Sequence, residues 1–170
     1  MRVGLLADSH DRVPAIAELA RRFSAAGVGF VLHAGDYCSP FSLAPFFDAH
    51  IAVAGVFGRN DGDQEGLLAE ATKGVGIELY QSPHSVELEG RRILVVHDLG
   101  EVADRSLEAH EIVVYGCTHI AACEARGESL LVNPGEACGW LFGVPTAAIL
   151  DVETKQVEPL RLDGPEWRQE

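Results

Sequence analysis

Five short motifs rich in aspartate and histidine each close an apolar run. Asp8-Ser9-His10 follows Val3-Gly4-Leu5-Leu6-Ala7, and Gly35-Asp36 follows Phe30-Val31-Leu32-His33-Ala34. Gly58-Arg59-Asn60-Asp61 follows residues 51–57, His97 follows Ile93-Leu94-Val95-Val96, and Gly116-Cys117-Thr118-His119 follows Ile112-Val113-Val114-Tyr115. Short apolar runs bounded by turn residues read as buried strands. Open α/β sheets gather their chemistry at strand tips. Carboxylates and imidazoles converging there are the donor set of a divalent metal.

The pattern between the motifs sets the fold. Residues 2–7, 28–34 and 51–57 read as buried strands. Between and after them the spacing predicts helices over Pro14–Ala26, Phe41–Phe47 (opened by Ser39-Pro40) and Gln64–Lys73. Strands alternating with helices imply a parallel sheet with right-handed crossovers. The second half changes character. Residues 85–89 alternate and turn at Gly90-Arg91 into a buried strand at 92–97, which is a hairpin signal. A helix is expected over 101–110, then strands at 112–116, about 120–125, 129–132, 145–151 and 156–162. The fold class is α/β: two packed β-sheets flanked by helices, with a parallel-rich N-terminal half and an antiparallel-rich C-terminal half. No linker, repeat or low-complexity stretch divides it, so residues 1–170 read as one domain.

Charge and cysteine usage narrow the functions. The net charge of −13 argues against a nucleic-acid backbone as partner, because that binding needs clustered Lys and Arg. The pairs Arg21-Arg22 and Arg91-Arg92 are isolated. No apolar run approaches the roughly 20 residues that span a bilayer, and the N-terminus opens directly into a strand. Cys38, Cys117, Cys123 and Cys138 lack C-x-x-C spacing and read as free thiols of a reducing cytoplasm.

Taken singly, each motif residue has a plain structural reading. Asp8 reads as a distant helix cap, Asp36 as a turn former, His97 as a core histidine. Taken in order, the motifs resemble the calcineurin-like metallophosphoesterase superfamily, specifically its small single-domain phosphodiesterases. That family reads D-x-H, G-D, G-N-x-D, H and G-H-x-H. This chain keeps Asp8 and His10, Gly35 and Asp36, His97, and His119, over roughly Arg2 to Leu162. It departs where Arg59 replaces the asparagine and Cys117 the first histidine of the last motif. The resemblance implies that Asp36 bridges two metals about 3.5–4 Å apart. Asp8, His10 and His119 would complete the first site, and His97 belongs to the second. The implied cofactor is a divalent ion: Mn²⁺, Zn²⁺, Fe²⁺ or Ni²⁺.

Both departures fall on the second site. Arginine stays protonated and has no lone pair to give, whereas a cysteine thiolate ligates and prefers softer ions such as Zn²⁺. Three arrangements follow. Arg59 turns inward beside Asp36, stands in for the second cation and grips phosphate; or a second ion binds through Asp36, His97 and Cys117; or catalysis is impaired. An inward Arg59 close to Cys117 would also lower the pKa of that thiol. Many superfamily members carry a histidine acid where Asn60 stands, so no general acid can be assigned. His33 reads as packing or support rather than ligand, and His50, His84 and His110 carry no motif. Asp61 and Asp63 read as turn residues, Asp61 bracing its loop. Asn133-Pro134-Gly135 reads as a rigid turn near the site, followed by Glu136 where relatives carry a small hydroxyl residue.

The sequence therefore points to a cytoplasmic, metal-dependent phosphoesterase, a diesterase more readily than a monoesterase, acting on a small phosphoester. Arg59 and Asn60 are its candidate catalytic residues. A homo-oligomer is compatible with the chain. A second class stays open: a metal- or phosphate-binding homologue of weak or absent activity serving as an interaction module.

Overall fold

The computed structural model describes residues 1–74 and 76–168. Strands β1 (Arg2–Leu6), β2 (Phe30–His33), β3 (Ala52–Val56) and β4 (Ile77–Tyr80) pair in parallel. On the other side of β1, strand β10 (Thr146–Asp151) pairs antiparallel, and β11 (Gln156–Arg161) closes that edge. The second sheet runs β5 (His84–Leu88), β6 (Arg91–Val96), β7 (Ile112–Tyr115), β9 (Ser129–Asn133) and β8 (Ala122–Arg126). Its central pairs, β6 with β7 and β7 with β9, are parallel, and its edge pairs are antiparallel.

Alternation along each strand divides the side chains between two layers. Val3 and Leu5 of β1, Leu32 of β2 and Val56 of β3 meet Ile93, Val95, Ile112 and Val114 of the second sheet, forming the core between the sheets. The opposite face of the first sheet takes the helices. Helix α1 (Val13–Ala25) starts with a proline in its first turn and buries Ile16, Leu19, Ala20 and Phe23. Phe23 is fully buried, so its truncation to alanine costs about 3–5 kcal/mol. Helices α2 (Ala44–Asp48) and α3 (Gln64–Ala71) complete that layer. On the outer face of the second sheet, Leu107 of the short α4 (Asp104–Glu108) packs with Leu94, Val96, Val113 and Leu131.

Three details differ from the sequence expectation. Strand β4 was not anticipated; only four residues long, it alternates buried and exposed positions at a sheet edge. The segment expected to be helical over 41–47 divides into a 3₁₀ turn at Pro40–Leu43 and α2. The 101–110 helix shrinks to α4, preceded by a 3₁₀ turn at Leu99–Glu101.

Parallel pairing puts the C-terminal ends of β1, β2 and β3 side by side, and those of β6 and β7 likewise. The loops beyond these ends bond to one another. Asp8 N–H donates to Gly35 O (3.0 Å), His10 N–H to Asp36 O (2.9 Å) and Gly116 N–H to His97 O (3.0 Å). Ala137 and Cys138 N–H donate to Ala7 O (2.9 Å) and Asp8 O (3.1 Å), drawing the loop after β9 onto the same spot.

Candidate metal centre

Asp8, His10, Asp36, His97 and His119 converge at this junction. Asp8, Asp36 and His97 are buried, and one donor atom from each lies within 4.8 Å of the others. The D-x-H segment is not extended. Asp8 and His10 sit at φ +52° and +39°, in the left-handed region, and so do Asp36 (+63°), Cys117 (+68°) and His119 (+62°). Only tight mutual bonding of the loops holds five non-glycine residues there. Gly58 permits the close approach: a Cβ at that position would lie 2.2 Å from Asp36 Oδ1.

The ring hydrogen bonds fix which nitrogens face inward. His97 Nδ1–H donates to Ala34 O at 2.8 Å, and His119 Nδ1–H donates to the Glu136 carboxylate at 2.9 Å. Each Nε2 is thereby left with its lone pair. His97 Nε2 lies 3.5 Å from Asp36 Oδ1, and His119 Nε2 lies 3.6 Å from Asp8 Oδ1. His10 Nε2 lies 3.4 Å from Asp36 Oδ2, buried and without a hydrogen-bond partner. Lone pairs facing carboxylate oxygens repel unless a cation lies between them. The donor set therefore fits a divalent ion: imidazole nitrogen with carboxylate oxygen, each oriented by a partner behind it.

Electrostatics agree with that arrangement. Burial raises the Asp8 carboxyl to about 6, against the opposing pull of His119 and His97. Burial pulls His10 below the ordinary histidine value, so its ring favours the neutral, ligating form. His33 is buried and held at about 3 by burial, with His97 and His10 adding to the effect. Neutral His33 is a brace. Gly35 N–H donates to its Nδ1 at 3.1 Å, its Nε2–H faces Ser9 Oγ at 3.0 Å, and Ser9 Oγ–H donates to Asp36 O at 3.3 Å.

Asp61 is buried and accepts three backbone N–H groups: Asp36 (3.0 Å), Cys38 (2.7 Å) and Gly58 (2.6 Å). Asp63 caps α3 by accepting from Gly66 N–H at 2.9 Å. Asn60 turns toward the centre. Its backbone N–H donates to Asp36 Oδ1 (2.8 Å) and its amide to Asp36 Oδ2 (2.7 Å).

Arg59 departs from the inward position its sequence context suggested. Its side chain is 58 % exposed on the rim, where Nη2 pairs with Asp98 and lies 3.5 Å from Glu101 Oε1. The reason is competition: Asn60 already occupies both oxygens of Asp36, while Asp98 and Glu101 offer two carboxylates at the mouth. Cys117 Sγ lies 3.8 Å from Asp98 Oδ2, and Cys117 N–H donates to Asp8 (3.1 Å to Oδ2). The Cys117 thiol is pushed up, not down. Burial and Asp98 outweigh the opposing pull of Arg59.

Four residues of the site went unread in the sequence. Asp98 carries no motif of its own. Cys38 Sγ lies 3.3 Å from His10 Nδ1, and Cys138 shares a 4.8 Å donor cluster with His10 and His119. Burial raises both thiols to about 12. Glu136 is buried yet ionised. Burial raises its pKa, but hydrogen bonds from Leu141 N–H, His119, Phe142 N–H and Cys138 bring it below the ordinary value. Its only sequence signal was a carboxylate following the Asn133-Pro134-Gly135 turn. That turn is rigid as expected: Asn133 bonds Gly116 O, Thr118 Oγ1 and Gly135 N.

A two-sheet α/β sandwich with histidines and aspartates on the strand tips defines a class of metal-dependent hydrolase folds. Within it, residues 1–155 match the calcineurin-like phosphoesterase superfamily domain. The chain belongs to that superfamily. It is 31 % identical to phosphodiesterase MJ0936 of Methanocaldococcus jannaschii over 167 residues, covering 96 % of this chain and 100 % of the relative. The solved structure of an archaeal phosphodiesterase superposes with a TM-score of 0.87 at 30 % identity, covering 95 % of this chain and 100 % of that one. YfcE, a phosphoesterase from E. coli, shares the fold at a TM-score of 0.70 and 18 % identity, with 95 % and 98 % coverage.

Proposed function

We propose that this chain is a metal-dependent phosphodiesterase hydrolysing a small phosphoester. The observation that carries the reading is the set of three imidazole nitrogens aimed at carboxylate oxygens 3.4–3.6 Å away, supported by the likeness to a phosphodiesterase over nearly the whole chain. Asp8, His10, Asp36 and His119 would hold the first ion; a second, if bound, would use Asp36, His97 and Cys117. A divalent ion held there lowers the pKa of water toward neutrality and offsets charge on phosphoryl oxygens.

The protein's own groups do the rest. Asn60 fixes both oxygens of Asp36 and so holds the carboxylate in one orientation. Arg59 contacts its acidic partners through Nη2, which leaves the other donors of its fork for a phosphoryl oxygen arriving at the rim. An amide at Asn60 donates no proton to a departing alkoxide. Aryl esters should therefore react well and alkyl esters poorly, because general-acid help of about 10²–10⁴-fold is forgone.

We place the enzyme in the cytoplasm as one domain spanning 1–170, with no nucleic acid as partner and a homo-oligomer compatible with it. Four free thiols and the net charge of −13 support this. No helix among the described residues is long and apolar enough to cross a membrane. The non-catalytic interaction-module reading is not favoured, because the relative at 31 % identity over nearly the whole chain is a phosphodiesterase. The test is hydrolysis of bis(p-nitrophenyl) phosphate against p-nitrophenyl phosphate, with and without chelator. Chelator-sensitive turnover favouring the diester is expected. Full activity after exhaustive metal removal would sink the reading.

A further inference from the structure

Of the seven large hydrophobic side chains exposed among the described residues, four stand beside the metal centre. Ile120 is 57 % exposed and directly follows His119; Trp140 (59 %), Leu141 (68 %) and Phe142 (59 %) form the tip of the loop after Cys138. Single exposed apolar residues need no explanation, but a cluster does.

This loop is pinned, not loose. Gly139 and Gly143 bound it at φ +61° and +78°. The Glu136 carboxylate accepts from Leu141 N–H (3.0 Å) and Phe142 N–H (2.7 Å) while holding His119. The Trp140 indole N–H lies 3.4 Å from His10 O, and the Arg12 guanidinium stacks 3.7 Å from the indole centroid. The apolar tip is thus tied to His10 through one carbonyl and to His119 through one carboxylate. Beside it lies a cleft lined by His119, Ile120, Phe142, Val144, Thr146 and Arg161, which meets the metal centre at His119.

We propose that Ile120, Phe142 and Val144 form a subsite for an aromatic ester group of the substrate, an inference that rests on the phosphodiesterase reading above. A phosphodiester carries one negative charge and two uncharged ester groups. The group that does not depart needs a place to rest beside the phosphorus, and an apolar aromatic wall fixed to two metal-ligand candidates supplies it. Aromatic rings gain from stacking beyond their buried area. A phosphomonoester has no such second group, so the wall would also favour diesters.

The test compares two diesters with the same leaving group, 2-naphthylmethyl p-nitrophenyl phosphate and methyl p-nitrophenyl phosphate. The unmodified enzyme should show kcat/KM about tenfold higher for the naphthylmethyl ester. In Ile120→Ala/Phe142→Ala the ratio should fall toward one, and Phe142→Tyr, which keeps an aromatic face, should retain most of it. A purely structural role would slow both esters equally and leave the ratio unchanged, which overturns the proposal. An unchanged ratio with a dimer turning monomeric in sedimentation would assign the patch to a second copy, overturning it as well. If neither ester is hydrolysed by metal-loaded enzyme, the phosphodiesterase reading fails and the subsite falls with it.

Discussion

Glu136 accepts the Nδ1 proton of His119 at 2.9 Å and thereby decides which nitrogen of that ring faces Asp8. The carboxylate sits two loops away from the D-x-H motif, yet it sets the tautomer on which metal ligation depends. Replacing it by glutamine keeps the shape and permits the opposite hydrogen-bond sense. Glu136→Gln should weaken metal binding about 10–100-fold, the usual cost of losing a partner behind a ligand. Titration with Zn²⁺ or Mn²⁺ by calorimetry checks it; an unchanged affinity would show that backbone geometry alone orients His119.

Asp61 gathers three N–H groups from two loops. Asp61→Ala leaves all three buried donors without their acceptor and should cost about 3 kcal/mol. The same variant should lose metal, because the Asp36 and Gly58 backbones are no longer held together. Urea unfolding and elemental analysis on one preparation test both; stability within error of the parent would mean that water replaces the carboxylate fully.

The two departures from the superfamily pattern are coupled through Asp98, which pairs with Arg59 and lies near Cys117. With Arg59 on the rim and the Cys117 thiol raised, one ion per chain is expected in the unmodified protein. Arg59→Asn/Cys117→His restores the family donors and should bring a second. Two ions in the parent, bound through Cys117, would contradict this.

His33 should stay neutral. Its folded value of about 3 lies below the unfolded value near 6.5. The stability it contributes is therefore complete above about pH 6.5 and is lost as pH falls through the window from there to about 3. One proton taken up on unfolding corresponds to about tenfold in the folding constant per pH unit within that window. Ring resonances of His33 that move between pH 8 and 5 would refute the burial argument.

Much of this architecture was legible. Residues 3–7 and 93–96 are uninterrupted apolar runs, 30–34 is broken only by His33, and such runs end where the backbone leaves the core, so the loops carrying the candidate ligands followed. What stayed illegible depends on partners distant in the chain. Arg59 turns to Asp98, 39 residues away, because Asn60 already holds Asp36; nothing local announces that competition. Glu136 is buried only because Leu141, Phe142 and His119 all donate to it. Ile77-Glu78-Leu79-Tyr80 was missed because four alternating residues also fit an ordinary surface loop.

Five of the six candidate ligands hold left-handed backbone at roughly 1 kcal/mol each or more. Glycine at any of them would relax the chain and delete a donor in the same step. Folding and chemistry thus pull this centre in opposite directions, and drift without demand for turnover would run downhill toward a steadier, emptier sandwich. Cys117, still left-handed at φ +68°, shows the milder route: the donor changes while the strained frame around it stands.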